Sequence, residues 1–252
     1  RAFIFFRNAV FNMDPLVIKK KNEDIGKMFD DIAPRYDFLN HFLSFNFDKC
    51  WRKKLIKLLQ CENPAEILDI ATGTTDLAIM ALAKISGSHF TGVDISEKML
   101  EAGRKKIIKR KLSQSIELVK APAENLPLPD NKFDAAIAAF GVRNFENLEA
   151  GLYEMLRVIK PGKKIFVLEF SKPRGFFKWI YTIYFRAYLP LAGKLISGNK
   201  KAYRYLHDSV TRFPEGLEFL GIMQQAGFTN VSQKRLSGGI ATIYIGEKQN
   251  NM

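Results

Sequence analysis

Two aspartates stand where apolar runs end, and their spacing suits the recognition of a nucleotide. Asp69 lies near the end of the run that begins at Glu66, and the small residues of 71–75 follow it as a turn that opens a helix. Asp94 ends the next apolar run, about 20 residues after Gly73, where a carboxylate can accept hydrogen bonds from both hydroxyls of a ribose. The pattern predicts a site for a cofactor that carries adenosine.

The turn after Asp69 can hold such a cofactor largely through its backbone. Asp69 can fix the turn or hold a cationic group, Gly73 lets the backbone come close to a ligand, and the helix start from Thr74 supplies free N–H donors. A dinucleotide fingerprint would place glycines in a G-x-G-x-x-G pattern, whereas this loop has Gly73 alone. Hydride transfer is therefore disfavoured, and an ordinary capped turn between strand and helix is the structural alternative.

The elements that would position these residues alternate as in a parallel sheet, because apolar runs are separated by segments of helical periodicity. The apolar runs lie at 66–71, 89–93, 116–119, 133–139 and 164–170, and the helical segments include 97–112, 146–159 and about 215–226. Two further runs, near 229–235 and 240–246, are joined through Gly238-Gly239 and predict a terminal hairpin. We expect an α/β fold with a doubly wound, mostly parallel sheet and a C-terminal antiparallel hairpin.

The 252 residues, 47% of them apolar, fit one domain with added helical segments. Residues 1–12 are apolar but too short to span a bilayer, and Met13 follows them, so we treat them as a non-native or disordered extension and expect one domain over 13–252. Two aromatic-rich segments, 23–60 and 171–213, lie outside the sheet. We predict that they form a helical substrate lid over the carboxyl ends of the strands.

The net charge of +13 favours contact with anionic surfaces without choosing among them. The densest basic run, 104–111, is either a solvated helix face or a contact with an anionic membrane. Two cysteines are too few for a disulfide framework, which indicates a reducing, cytoplasmic compartment. The aromatic region 176–196 is interrupted by charges and by Pro190, so it predicts no transmembrane helix. A peripheral membrane contact stays open as an alternative.

Five segments follow, in order, the pattern of one known family. They are 28–40 (MFDDIAPRYDFLN), the loop 69–77, 140–145 (FGVRNF), 168–173 (LEFSKP) and 203–206 (YRYL). Over about residues 22–247 the chain thus resembles the quinone-ring C-methyltransferases that complete menaquinone and ubiquinone and use S-adenosylmethionine. Two segments, 190–197 and the tail 238–244, look more similar to the menaquinone branch of this family than to the ubiquinone branch.

The resemblance implies a Rossmann-like class I methyltransferase that converts demethylmenaquinol to menaquinol, with a ubiquinone precursor as the alternative substrate. Gly73 and Thr74 would face the methionine part of the cofactor, Asp94 the ribose and the loop 121–124 the adenine. Met99 would add an apolar wall, although an ordinary core position is the alternative for it. The full set of predicted cofactor-binding residues is Asp69, Gly73, Thr74, Asp94, Ile95, Met99, Pro122, Ala123 and Phe140.

Methylation of a ring carbon requires an electron-rich ring, so a neighbouring ring hydroxyl must lose or share its proton. Arg143 and Asn144, just beyond the fourth predicted strand, could polarise or orient the ring oxygen, with Arg143 acting through a water, and Tyr36 and Tyr205 could add hydroxyl contacts. Arginine itself does not readily give up a proton. We predict Arg143, Asn144 and Tyr36 as the catalytic residues. The three histidines have no metal-ligand spacing, so no metal is predicted.

Several of these residues also have structural explanations. Arg143 could hold its loop through a salt bridge, and Asn144 could cap a helix that begins near Phe145. Glu169 is either a site carboxylate or the partner of Arg204. The aromatic residues of 176–188 offer an apolar channel for an isoprenoid tail, and core packing is equally open for them. No N-P-P-Y motif is present, so we predict no nucleic-acid substrate.

Two positions depart from the family pattern, and both belong to the predicted cofactor site. The family loop usually reads G-T-G, whereas Thr75 places a β-branched side chain at the last position, with a backbone strain of about 1–3 kcal/mol. Pro122 stands where an Asp or Asn usually accepts from the adenine amino group, so adenine would depend on the Ala123 N–H and apolar contacts. If these departures abolish cofactor binding, a non-enzymatic membrane or assembly role becomes the alternative.

Overall fold

The computed structural model describes residues 21–37, 40, 44–173, 205 and 208–250. Seven strands form one sheet, and six helices of the described residues pack around it. The strands are β1 (Glu66–Ile70), β2 (His89–Asp94), β3 (Ile116–Lys120), β4 (Phe133–Ala139), β5 (Ile159–Phe170), β6 (Phe228–Leu236) and β7 (Ala241–Lys248). The helices are α1 (Asn22–Ile32), α2 (Phe47–Gln60), α3 (Asp76–Leu82), α4 (Glu97–Lys109), α5 (Leu148–Val158) and α6 (Leu217–Gln225).

The strand order is β3-β2-β1-β4-β5-β7-β6, with β1 to β5 parallel and β7 antiparallel to both of its neighbours. The order reverses between β1 and β4, because the chain leaves β1 toward β2 on one side and returns to β4 on the other. Ligands of open α/β sheets bind at the carboxyl ends of the strands at such a reversal. The doubly wound sheet and the terminal hairpin predicted from the sequence are confirmed.

Both faces of the central strands are covered, which explains why β1 and β4 read as nearly continuous apolar runs. On one face Trp51, Leu55 and Leu59 of α2 pack with α3 against the sheet. On the other face α5 and α6 supply a second buried cluster, which includes Leu152 and Phe219. The sheet therefore holds its strand ends rigidly between two packed layers, as a site built at those ends requires.

Two helix starts near the site are capped by side chains. Ser96 accepts a hydrogen bond from the Met99 N–H at the start of α4, and Asn147 accepts one from the Ala150 N–H at the start of α5. The capping alternative for Asn144 is wrong, because α5 begins at Leu148 and its cap is Asn147. The fifth strand is also longer than predicted. It begins at Ile159, which pairs with Phe133 ahead of a register shift.

Several expectations lie outside the described residues. These are the extension 1–12, the aromatic region 176–196 with its channel, Arg204, and most of the lid segment 171–213. Within the described ranges, no helix combines the length and the apolar character that a membrane crossing demands.

Candidate active site

The turn between β1 and α3 has an unusual backbone conformation, because three alternate residues adopt positive φ angles. They are Ala71 (54°), Gly73 (57°) and Thr75 (70°). Two aspartates fix this turn. Asp69 Oδ2 accepts from the Thr72 hydroxyl at 2.7 Å, and Asp94 Oδ2 accepts from the Gly73 N–H at 2.8 Å. The carboxylate at the end of β2 thus binds directly to the backbone of the glycine turn.

Asp94 is poised to accept further hydrogen bonds. Its Oδ1 accepts from the Ser96 N–H at 2.9 Å, and the Ile95 N–H is a third backbone donor, which leaves part of the carboxylate's acceptor capacity for a ligand. Burial raises the pKa of Asp94 to about 6, against the opposing effect of the backbone donors of Ser96, Gly73 and Ile95. A ligand that donates hydroxyl hydrogens to this carboxylate would favour its ionised form.

Asp69 is buried more deeply, at 1% exposure. Burial raises the pKa of Asp69 to about 7, against the lowering effects of the Thr72 hydroxyl and of the Arg52 charge. A carboxyl group with this pKa exists in both protonation states near neutrality. A cation placed beside it would convert it to the carboxylate.

A cavity of about 600 Å³, including the part open to solvent, lies at the carboxyl ends of β1, β2 and β4. We call it the larger cavity. Seven of the nine predicted cofactor-binding residues line it, namely Gly73, Asp94, Ile95, Met99, Pro122, Ala123 and Phe140. Helix α1 closes one side with Asn22, Ile25 and Phe29. Met99 is both a buried core residue and part of the wall.

The other two predicted cofactor-binding residues, Asp69 and Thr74, line a second, more polar cavity of about 370 Å³, including the part open to solvent. We call it the smaller cavity. Asn40 and Arg52 line it too, and it shares Tyr36, Ala71 and Gly73 with the larger cavity. The two cavities therefore meet at the glycine turn, under the ring of Tyr36, which lies 3.6 Å from the position that a Gly73 Cβ would take.

The sequence reasoning did not single out Arg52 or Asn40. A signal for Arg52 is present in the helical pattern of α2, where it adjoins Trp51, Leu55 and Ile56 on the apolar face instead of the lysine-rich face. A cation on a buried helix face requires a partner. Asn40 belongs to the motif 28–40, but nothing in its spacing distinguishes it.

Arg143 forms a buried ion pair with Glu169. Its guanidinium donates to Glu169 Oε1 at 2.6 Å and to the Phe140 carbonyl, and its backbone N–H donates to Glu169 Oε2 at 3.2 Å. The guanidinium also lies 5.3 Å from the centre of the Phe170 ring. The salt bridge considered as an alternative for Arg143 is thus present, and its carboxylate partner joins β5 to the loop after β4.

Asn144 and two tyrosines lie around this ion pair. Asn144 Oδ1 accepts from the Tyr205 hydroxyl at 3.0 Å, and Asn144 and Tyr36 both line the larger cavity. Burial raises the pKa of Tyr36 and that of Tyr205, while the Arg143 charge acts in the lowering direction on both. The structure therefore places Tyr36 and Asn144 on the larger cavity, with Tyr205 bonded to Asn144, whereas Arg143 precedes Asn144 in the chain and is not part of the lining of either cavity.

Thr74 is held by a charged cluster that the sequence reasoning also missed. The Thr74 hydroxyl donates to Asp37 Oδ1 and accepts from Lys106 Nζ at 2.8 Å. Lys106 also contacts Asp37 Oδ2 and donates to Asp76 Oδ1 at 2.6 Å. This residue of the basic run 104–111 is therefore part of the scaffold of the turn, and neither explanation considered for the run describes it.

The departure at Thr75 has a structural counterpart in α4. Thr75 is fully buried and its hydroxyl has no hydrogen-bond partner. A Cβ at Gly103 would lie 2.1 Å from the Thr75 hydroxyl oxygen, so Gly103 provides the space that the threonine requires. Pro122, the second position that departs from the family pattern, lines the larger cavity beside Glu124. The carboxylate of Glu124 accepts a hydrogen bond from the backbone N–H of Glu146.

The sheet order, the antiparallel β7 and a nucleotide-type cavity at the strand reversal define the S-adenosylmethionine-dependent methyltransferase class of fold. A solved SAM-dependent methyltransferase from Thermotoga maritima shares it with a TM-score of 0.61 at 21% identity, over 89% of this chain and 100% of that one. The chain belongs to the ubiE/COQ5 methyltransferase family, whose model matches residues 17–248.

Two curated relatives are similar over most of their length. The demethylmenaquinone methyltransferase of Bacteroides fragilis is 43% identical over 230 residues, which cover 91% of this chain and 94% of the relative. The ubiquinone/menaquinone biosynthesis C-methyltransferase UbiE of Geobacter sulfurreducens is 45% identical over 233 residues, which cover 92% and 91%. The resemblance found in the sequence motifs is confirmed.

Proposed function

We propose that this protein transfers the methyl group of S-adenosylmethionine to a ring carbon of demethylmenaquinol and so produces menaquinol. The observation that carries the proposal is the family match across residues 17–248, which includes the turn, the cavity walls and the buried Arg143. The name of the Bacteroides fragilis relative states this activity for that protein. The name of the Geobacter sulfurreducens relative includes ubiquinone and keeps a ubiquinone precursor as the second candidate substrate.

The residues present fit the cofactor. The larger cavity offers apolar walls beside a carboxylate with spare lone pairs, which suits adenine and ribose. The smaller cavity offers Asp69 and Arg52, and the buried Arg52 Nε has no hydrogen-bond partner. A group with both charges, such as the amino-acid portion of S-adenosylmethionine, complements these side chains. Gly73 lies where the two cavities meet, so the cofactor would cross the turn there.

When bound, S-adenosylmethionine supplies an electrophilic methyl group at a sulfonium centre. The ring carbon becomes nucleophilic as its neighbouring hydroxyl loses its proton to water. Once the new C–C bond has formed and S-adenosylhomocysteine has been left behind, the hydrogen of that carbon departs as a proton and the oxygen regains one, which restores the aromatic hydroquinone. In our proposal Asn144 and Tyr36 orient the ring oxygens, and the positive charge of Arg143 stabilises the negative charge that develops on the oxygen. Glu169 holds the Arg143 guanidinium in place through the 2.6 Å ion pair.

The activity is tested by incubating the protein with S-adenosylmethionine and a reduced demethylmenaquinone, and by following the quinone by mass spectrometry. We expect a product heavier by one methyl group, and accumulation of the lighter quinone in cells that lack the protein. Asp94→Asn is the matched variant, because it keeps the shape of the side chain while removing the charge. Absence of product, together with no thermal shift on addition of cofactor, would favour the non-enzymatic alternative.

We also propose that the protein contacts an anionic membrane from the cytoplasmic side through α2 and the turn before it. Phe45 and Phe47 are 58% and 54% exposed, although most large apolar side chains of this fold are buried. Exposed lysines follow them on α2, at Lys49, Lys53, Lys54 and Lys57. The single acidic residue of that helix, Asp48, is buried and does not offset the exposed charge. Aromatic side chains beside a basic face suit the boundary of an anionic bilayer.

Vesicles of phosphatidylglycerol and phosphatidylcholine in equal parts test this contact by co-sedimentation. We expect binding at low salt that is lost at high salt, and a weaker association for Phe45→Ser with Phe47→Ser. Leu217→Ser is the matched control, because Leu217 is 80% exposed but lies on α6. Equal retention of the parent and the double phenylalanine variant would exclude this surface.

A further inference from the structure

The connection 121–132, between β3 and β4, borders the larger cavity although it contains neither helix nor strand. Pro122 and Ala123, near its start, line that cavity. Prolines at 122, 127 and 129 remove three of its backbone N–H groups, so the connection can form few hydrogen bonds of its own. Its conformation must therefore be fixed by other parts of the chain.

Two residues of α5, Glu154 and Arg157, hold the middle of this connection. Glu154 Oε2 accepts from the Leu126 N–H at 2.8 Å, and Arg157 Nη2 donates to the Leu126 carbonyl at 3.0 Å. Arg157 Nη1 donates further to the Leu128 carbonyl at 2.8 Å and to Asp130 Oδ1 at 2.6 Å. The ion pair thus satisfies both backbone groups of Leu126, as a neighbouring strand would.

The geometry of the ion pair makes it a firm support. Arg157 Nε donates to Glu154 Oε1 at 2.7 Å and Arg157 Nη2 donates to Glu154 Oε2 at 2.8 Å, which is the two-bond arrangement of a guanidinium and a carboxylate. Water reaches the pair only in part, because the two side chains are 22% and 13% exposed. The hydrogen bonds from Arg157 lower the pKa of Glu154, so its carboxylate stays ionised near neutrality.

A second attachment of the connection lies nearer to the larger cavity but is more exposed. Glu124 Oε1 accepts from the backbone N–H groups of Glu146 and Asn147, at 2.6 and 3.2 Å, just ahead of α5. These bonds lie at the protein surface, whereas those of Leu126 are partly buried and Leu126 itself packs in the core. Hydrogen bonds that water reaches open more readily than buried ones. The ion pair of α5 is therefore the more durable support.

We propose that Arg157 is a positioning residue for cofactor selection, and that it fixes the Ala123 N–H against the edge of the adenine ring through the connection 121–132. The assignment rests on the proposed function, because it requires adenine in the larger cavity. Pro122 offers neither a side-chain acceptor nor an N–H, so recognition of the base depends on where the Ala123 N–H lies. Arg157 lines neither cavity and acts only through the connection.

Calorimetric titration with S-adenosylhomocysteine and S-inosylhomocysteine tests the assignment. The second ligand carries hypoxanthine, whose N1 bears a hydrogen and cannot accept from the Ala123 N–H as N1 of adenine can. We expect the parent protein to prefer the adenine ligand by about 10-fold or more. Arg157→Met should weaken binding of the adenine ligand by about 10-fold and leave the hypoxanthine ligand nearly unchanged, so the ratio of the two dissociation constants falls toward one. Arg157→Lys, which loses the planar fork, should give an intermediate ratio.

A purely structural role of Arg157 would lower the free energy of unfolding without changing this ratio. Arg104→Met is the control and should keep the parental ratio, because it removes an arginine–glutamate pair, to Glu97 at 2.6 Å, outside the lining of both cavities. An unchanged ratio in Arg157→Met would overturn the assignment, as would equal binding of both ligands by the parent protein.

If Arg157→Met does not fold, the ratio measured for Arg157→Lys decides, and a parental ratio there overturns the assignment. Binding with an unchanged ratio leaves the proposed function intact. If the parent protein binds neither ligand, the proposed function itself fails, and the assignment fails with it.

Discussion

Arg143 and Glu169 are 26 residues apart in the chain, and their side chains meet at 2.6 Å in a buried ion pair. Arg143 is 8% exposed and Glu169 is fully buried. The pair joins the loop after β4 to the carboxyl end of β5, immediately beside Asn144 and the larger cavity. The guanidinium therefore supports the loop, and variants must separate this support from the role in the reaction that we propose for it.

We predict that Arg143→Ala reduces turnover strongly while cofactor binding is retained. The same change should lower the free energy of unfolding by about 3–5 kcal/mol, because it leaves the Glu169 charge buried and unpaired. The double variant Arg143→Met with Glu169→Gln removes both charges and should recover much of that stability, but not the turnover. Turnover assays, calorimetry and denaturant unfolding measure the three quantities. Recovery of turnover in the double variant would show that Arg143 serves only the loop.

Thr75 and Gly103 should be energetically coupled. A methyl group at Gly103 would meet the Thr75 hydroxyl oxygen at 2.1 Å, so Gly103→Ala alone should destabilise the protein by about 1–3 kcal/mol. In a Thr75→Gly background the same change should cost much less, because its closest neighbour is gone. Denaturant unfolding of the four proteins of this cycle gives the coupling free energy. Additive effects would contradict the contact.

Cofactor affinity should rise when both departures from the family pattern are reversed. Thr75→Gly removes the strain of a β-branched residue at a φ of 70°, because glycine adopts this angle freely, and it removes a buried hydroxyl without a partner. Pro122→Asp adds an acceptor to the wall of the larger cavity. We expect the double variant to bind S-adenosylmethionine several-fold more tightly by calorimetric titration. The single Thr75→Ala variant is the control, since it removes the hydroxyl and keeps the strained backbone. Unchanged affinity in the double variant would refute the prediction.

The stability of the ligand-free protein should depend on pH through Asp69. Burial raises the pKa of Asp69 from 3.8 to about 7, so the folded state holds a proton that the unfolded state has lost over this range. This contribution to stability is fully present below pH 3.8 and is lost as the pH rises through about 7, by on the order of 4 kcal/mol at most. Asp69→Asn should therefore reduce the decline of the free energy of unfolding with rising pH. We would compare denaturant unfolding of both proteins across the range, and parallel curves would argue against the shift.

Lys106 should influence cofactor affinity without touching the cofactor cavity. Its ammonium group joins Asp37, Asp76 and Thr74, and so connects the segment after α1 to the glycine turn. We expect Lys106→Met to raise the KM for S-adenosylmethionine about 3- to 10-fold with little change in kcat, a loss of about 1 kcal/mol. Lys105→Met is the control, because Lys105 is exposed on the same helix. Equal KM values for the two variants would exclude a role for the cluster.

The fold was predictable because its signals are local. The buried parallel strands read as apolar runs, and Asp69 and Asp94 mark two strand ends where ligands bind. The boundary errors occur where long-range pairing decides, as at Ile159, which joins β5 by pairing with Phe133. A helix start is similarly ambiguous when two asparagines, at 144 and 147, both have the chemistry of a cap.

The site residues that come from segments far apart in the chain were harder to predict from the sequence. Asp37 and Lys106 meet Thr74 only because α1 and α4 pack together, and no spacing along the chain encodes that contact. Arg52 could have been noticed as a cation on an apolar helix face, but its neighbours in the smaller cavity come from segments far apart. Nothing in the sequence distinguishes Gly103 from any other glycine within a helix, and only its proximity to Thr75 in space shows why the position requires a glycine.

The seventh strand in chain order lies inside the sheet, between β5 and β6, and not at its margin. While a ribosome is still producing residues 241–248, β5 has an open edge, because its residues 164–170 pair with β7 in the finished sheet. An unpaired hydrophobic edge is a template for aggregation. Shortening the chain ahead of Ala241 would remove β7 and would leave the edges of both β5 and β6 exposed to self-association.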